Sequence, residues 1–368
     1  MDAAWRLIVL GAFVLAGCAP PDRGARFGGE IDPCDVAWAE ASDEEPTVRS
    51  EGILALDDAA YWRQGPLPYW TTAPSPRCAD NPRTSASSAQ PGVALNITFP
   101  AVTWPTRTGE VVVRDGAWPV VIFAHANHDG QCEIFEEYFG LMDHWASWGY
   151  IVVSVDGTHL NCQSGTNQNI VDRKDGMLAA LQTLEQMNED ADSPFFGHVD
   201  GTRVVFAGHS RGGGAAIIGA AEVRQERAIA GIIDFQGVDV TSYGFGNPDI
   251  PGPFLGFSAS RDVDLNFPYV EPTEEQLIGP YTWVTIIGGI HAWTANRTPT
   301  EPDDFPKIEQ GEQHDVQEYF STAFLAHHVG VATREGDAVG RLDASSILYA
   351  HDGAEVVDRR ISSRGVSL

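Results

Sequence analysis

The chain has 368 residues, 43% of them hydrophobic, which is ample for one large domain with appendages. Its 51 acidic residues against 23 basic ones give a net charge of −28. A surface of that sign repels nucleic acid and anionic lipid headgroups, so neither is expected as a ligand.

Arg6 precedes a short apolar stretch, Leu7 to Ala16, followed by Gly17-Cys18. The stretch falls short of the roughly 20 apolar residues that span a bilayer. It fits the core of a secretory signal peptide. Leu15-Ala16-Gly17-Cys18 resembles the bacterial lipobox, in which cleavage precedes a cysteine that is then lipidated, although Asp2 departs from a purely basic start. Residues 1–17 therefore read as a lipoprotein signal peptide and 18–51, with Asp43-Glu44-Glu45-Pro46, as an acidic tether. Export permits disulfides. With Cys18 set aside for lipid, Cys34, Cys78, Cys132 and Cys162 allow three connectivities, and Cys34–Cys78 with Cys132–Cys162 is preferred because each pair lies within one region. No C-x-x-C spacing suggests a metal.

One folded domain is expected over 52–330. Strands are predicted at Ala94–Phe99, Glu110–Arg114, Val120–Ala124, Tyr150–Val155, Arg203–Ala207, Ile229–Asp234, Pro253–Ser258 and Tyr281–Ile287. Helices are predicted at Ile134–Trp148, at Val171–Asn188, behind the Arg203–Ala207 strand, and at His314–His328. Buried runs between helices imply an α/β fold with a mostly parallel sheet covered on both faces. Residues 331–368 follow as a C-terminal extension without an assigned role.

The chemistry-bearing motif is Gly208-His209-Ser210-Arg211-Gly212, behind an apolar run and ahead of Gly213-Gly214-Ala215-Ala216. This is a G-x-S-x-G elbow between a strand and a helix, which exposes Ser210 as a nucleophile. Gly208 and Gly212 are required because a side chain at either would strike the neighbouring strand or helix. A serine needs a base, and the base an orienting acid. His291, on the loop after the strand at 281–287, is the candidate base. Asp262 follows the strand at 253–258 and is the preferred acid, with Asp234 and Asp264 open as alternatives. Oxyanion donors are expected from the backbone N–H groups of Arg211 and Asn127. His125, His128 and Asp129 form too small a ligand set for zinc, and no metal is expected.

Val121–Gly130, Ala146–Asp156, Gly208–Gly213 and Gly288–His291 resemble bacterial α/β-hydrolases of the branch containing chlorophyllases, platelet-activating-factor acetylhydrolases and PET-hydrolase-like polyesterases. The resemblance covers about 95–330. It implies an α/β-hydrolase fold and hydrolysis of carboxylic esters through an acyl-enzyme, without a cofactor. Ala126 stands where that branch usually has glycine.

Fewer than twenty residues separate Phe235 from Pro253, too few for a large cap domain. An open site rimmed by aromatics is expected, with Phe235, Tyr243, Phe245, Phe267, Tyr269 and above all Trp293 near substrate. Neutral or apolar esters suit it. The other expectations are a monomer and membrane contact only through the lipid anchor. A non-catalytic binding module on the same fold and a peptidase with the same triad are the competing readings.

Overall fold

The computed structural model describes residues 65, 67, 69–71, 95–102, 112–127, 135, 137–161, 166–265, 276–296, 306–330 and 357–362. Its strands are β1 (Tyr69–Thr71), β2 (Leu95–Pro100), β3 (Trp118–Ala124), β4 (Ile151–Val155), β5 (Val199–His209), β6 (Gly231–Phe235), β7 (Phe254–Ala259), β8 (Tyr281–Ile286) and β9 (Val357–Ser362). They form one sheet in the order β1-β2-β4-β3-β5-β6-β7-β8-β9. β3 to β8 pair in parallel. The β1–β2, β2–β4 and β8–β9 pairings are antiparallel. The helices are α1 (Phe139–Ser147), α2 (Asn167–Glu189), α3 (Arg211–Val223) and α4 (Gln310–His328). This is an α/β-hydrolase fold with a mostly parallel sheet.

Side chains alternate across the sheet, so every central strand feeds two cores. Val121, Phe123, Val205, Ala207, Ile233, Phe235, Leu255 and Phe257 face α1 and α4. Val120, Ile122, Ala124, Val204, Phe206, Ile232 and Phe254 face α2 and α3. Because both faces must be buried, these strands read as unbroken apolar runs rather than as alternation. The register sets the carboxyl ends of the strands level: Ala124 lies beside Gly208, Gly208 beside Asp234, and Ala259 beside Ile286. Loops leaving that edge converge where open α/β sheets place their sites.

Several boundaries differ from expectation. The strand expected at Glu110–Arg114 is reduced, among the described residues, to one bridge between Val113 and Ala101. α1 starts later and α2 earlier than their apolar periodicity suggests. Residues 236–253 carry only a short turn at Thr241–Phe245, with no helical lid. The stretch beyond 330, given no role from sequence, supplies β9 at the sheet edge.

Phe235 and Phe257 lie in adjacent strands with their rings stacked 4.9 Å apart, and both are fully buried. Phe257→Ala should therefore destabilise the fold by about 3–5 kcal/mol, from lost burial plus the cavity left behind. A denaturant titration checks this: the midpoint should fall with the slope unchanged.

Candidate active site

The elbow rests on one strained residue. Ser210 has φ 57° and ψ −121°, a conformation costly for a residue with a side chain. The surroundings hold it there. Its N–H donates to the Phe235 carbonyl at 3.0 Å, and its carbonyl accepts from Gly214 N–H at 3.1 Å and Val238 N–H at 3.2 Å. A Cβ on Gly212 would overlap the carbonyl oxygen of Ala124, and one on Gly208 would overlap the Gly212 backbone. The first turn of α3 is thus pressed onto the end of β3, and the positive end of the helix meets the loop that follows it.

His291 begins a 3₁₀ turn after β8, and Asp262 follows β7. Its Nδ1 lies 2.8 Å from Asp262 Oδ2, with both side chains buried. A carboxylate there accepts, so Nδ1 carries the proton and Nε2 is the nitrogen able to take one. Asp262 is itself fixed: Oδ1 accepts Leu265 N–H at 2.9 Å, and its own N–H donates to Ala259 at 3.0 Å. The His209 ring, next to Ser210 in the chain, lies against His291 with centroids 4.5 Å apart.

The His291 loop hangs on buried amides that sequence reasoning missed. Gln313 of α4 accepts Ile290 N–H at 2.9 Å and donates to the Ile290 carbonyl at 2.8 Å. Gln236 donates to the same carbonyl and accepts from Thr294, which accepts in turn from Gln317. Gln313 and Gln317, four residues apart on the face that also buries Val316 and Phe320, were the available signal.

The loop after β3 is held by a different set of groups. His125 accepts Gly157 N–H at Nε2, 2.9 Å away, and its Nδ1 meets the Ala126 carbonyl at 2.6 Å. An N–H can only donate and a carbonyl only accept, so this ring is neutral with its proton on Nδ1. That commitment is incompatible with metal binding; His128 and Asp129 lie outside the described residues. The buried Arg173 guanidinium donates to the His125 carbonyl and to the side chains of Asn169 and Asn161. Burial, with the nearby Arg211 charge, pushes it down to about 9. Ala126 N–H is committed to the Tyr138 hydroxyl at 3.2 Å. Arg211 Nη1 donates to Asn127 Oδ1 at 2.8 Å, tying together the two residues expected to supply oxyanion donors.

Asp234, the alternative acid, ends β6 and is buried between α3 and the loop after it. It has no hydrogen bond to His291. Gly237 N–H donates to the carboxyl, and Oδ1 has no partner. Burial pushes it up to about 8. Asp264 is exposed and likewise has no hydrogen bond to His291. Phe235, expected near the rim, is a core residue. Trp293 lies in the 3₁₀ turn that His291 begins and is 9% exposed, with its indole nitrogen buried and unpartnered. Tyr243 and Phe245 are half-buried against the core. Phe267, Tyr269 and all five cysteines, Cys18, Cys34, Cys78, Cys132 and Cys162, lie outside the described residues. Among the described residues no group of His, Cys, Asp or Glu could hold a metal ion.

Residues 131–262 match the PET hydrolase-like family. The matched stretch takes in the elbow and ends at Asp262; His291 lies beyond it. With the sheet topology, it supports the PET-hydrolase-like branch and a hydrolase of the α/β-hydrolase type. No curated protein matches the chain.

The buried Asp234 carboxyl has a consequence for stability. Its ordinary value is 3.8, and folding raises it to about 8. The folded state thus binds more protons than the unfolded state between those values, and this group makes stability fall as pH rises through that window. Asp234→Asn removes the penalty. Its melting temperature relative to the parent should climb from pH 4 to pH 8 and then level, as read by calorimetry; a difference that does not change with pH would contradict the assignment.

Proposed function

We propose that the protein is a serine hydrolase that cleaves carboxylic esters through an acyl-enzyme, with Ser210 as nucleophile, His291 as base and Asp262 as orienting acid. The observation that carries this reading is the 2.8 Å hydrogen bond from His291 to Asp262, set beside an elbow that forces Ser210 to a positive φ. His291 Nε2 takes the proton from Ser210 Oγ as Oγ bonds to the ester carbon. The carbonyl electrons move to oxygen, where the Arg211 and Asn127 amides receive the charge. Collapse of this intermediate breaks the bond to the alcohol, which leaves with the proton from His291. Water then repeats the sequence and frees the acid. Asp262 stabilises the imidazolium formed in each half.

The substrate class follows from access and charge. The short 236–253 connection leaves the site without a lid from that side, and the net charge of −28 disfavours anionic substrates. Neutral or apolar esters are the expected substrates, with no cofactor required. At the N-terminus, Cys18 is proposed as the lipidated residue of an exported, envelope-anchored protein.

Ester hydrolysis and labelling by a fluorophosphonate probe test the site. Both should be present in the parent and lost in Ser210→Ala, with melting unchanged. Equal labelling of the two proteins would remove Ser210 from the mechanism.

Asp262→Asn should lower kcat by several decades, by analogy with the roughly 10⁴-fold loss in a triad serine protease. Asp234→Asn should cost less than about tenfold, because that carboxyl has no hydrogen bond to the base. The reverse ranking of the two variants would move the acid to β6.

Cys18→Ser should shift the protein from the membrane fraction to a soluble exported one. A multiply acylated cysteine anchors stably, whereas a single chain binds marginally. Continued sedimentation with membranes would reject the anchor.

A further inference from the structure

Two imidazoles lie in ring contact at the site, His209 and His291, with centroids 4.5 Å apart. Both are buried. Charge on both at once is strongly disfavoured, so the surroundings must decide which ring takes the proton. Asp262 settles it for His291, since a carboxylate 2.8 Å from Nδ1 favours the imidazolium.

Tyr138 settles it for His209. Its hydroxyl is fully buried and makes two hydrogen bonds, to Ala126 N–H at 3.2 Å and to His209 Nδ1 at 2.8 Å. An N–H can only donate, so the hydroxyl oxygen accepts from Ala126. Burial holds the phenol far above its ordinary range, so it keeps its proton, and the acceptor in line is His209 Nδ1. A proton on Nδ1 would meet the phenol proton head on. His209 is therefore held neutral with its own proton on Nε2.

We infer that Tyr138 is a positioning residue that keeps His209 neutral, so that His291 alone carries charge during turnover, while the same hydroxyl anchors the oxyanion loop at Ala126. The inference rests on the reading of Ser210 and His291 as nucleophile and base. One side chain at the start of α1 thus ties together the two parts of the site that must act at the same moment. Among the described residues, the charged and titratable groups against the pair are Asp262, just after β7, Asp234, near the end of β6, and Tyr138 itself, on which Arg173 and Glu137 act by charge. Asp234 is held protonated at neutral pH by its burial, so Asp262 is the carboxylate facing His291 there.

Tyr138→Phe removes both hydrogen bonds with little change in volume. Freed of the phenol proton, His209 should become able to ionise, and a cation beside His291 opposes the imidazolium needed in turnover. At the pH optimum kcat should drop roughly tenfold with KM changed less than about twofold, less than the loss of a whole oxyanion donor. The acid limb of log kcat/KM against pH should steepen from a slope of about one toward two. The added ionisation should vanish in Tyr138→Phe with His209→Asn.

Histidine NMR titration reads the same effect without activity. The His209 resonance, assigned by its loss in His209→Asn, should not titrate in the folded parent protein and should titrate in Tyr138→Phe. Titration of His209 in the parent over the ordinary histidine range would overturn the inference, even if Tyr138→Phe fails to fold. An equal loss of activity at every pH with no new titration would overturn it too. Absence of esterase activity in the parent, with the NMR result as expected, would instead sink the catalytic reading and leave the protonation pattern standing.

Discussion

The close approach of α3 to the end of β3 is the constraint on which the site depends. Gly212 lies so near the Ala124 carbonyl that no side chain fits between them. That contact brings the helix behind Ser210 against the loop after β3, where Arg211 and Asn127 share a hydrogen bond. It also leaves the serine no relaxed backbone conformation, since the Phe235 carbonyl holds its N–H from the other side. The strain at Ser210 is stored by packing around it and released nowhere in the folded state.

Around this fixed point the polar groups divide by role. Neutral amides hold the His291 loop: Gln313 clips both backbone groups of Ile290, and Gln236 and Gln317 meet through Thr294. They fix orientation without adding a charge that would compete with Asp262 for the imidazole. The loop after β3, proposed to receive the oxyanion, has a cation behind it instead, Arg173, whose partners are a carbonyl and two asparagine oxygens. A positive charge on that side has the sign needed to favour developing negative charge on a substrate oxygen.

Much of this was legible in the sequence and some was not, for physical reasons. The central strands were readable because burial on two faces demands apolar runs, and the elbow because only glycine fits at 208 and 212. The acid stayed open because Asp234 and Asp262 both end strands, and a strand end gives place but not direction. In the structure Asp262 meets His291 while Asp234 is buried between α3 and the loop after β6. Tyr138 and Arg173 gave no signal, since a single buried polar residue leaves no period. β9 escaped because nothing in its short run outweighs the polar stretch around it.

That last strand has a practical consequence. β9 pairs with β8 along its whole length, from Tyr281 opposite Ser362 to Ile286 opposite Val357. β8 is the strand that delivers His291, and its outer hydrogen-bonding edge is covered by a segment more than twenty residues past the last helix. A truncated protein ending at α4 would retain Ser210, Asp262 and His291 yet present six residues of bare β-edge to solvent. Such an edge is a template for another chain. β9 therefore covers that edge, and a fragment ending at α4 would be prone to self-association.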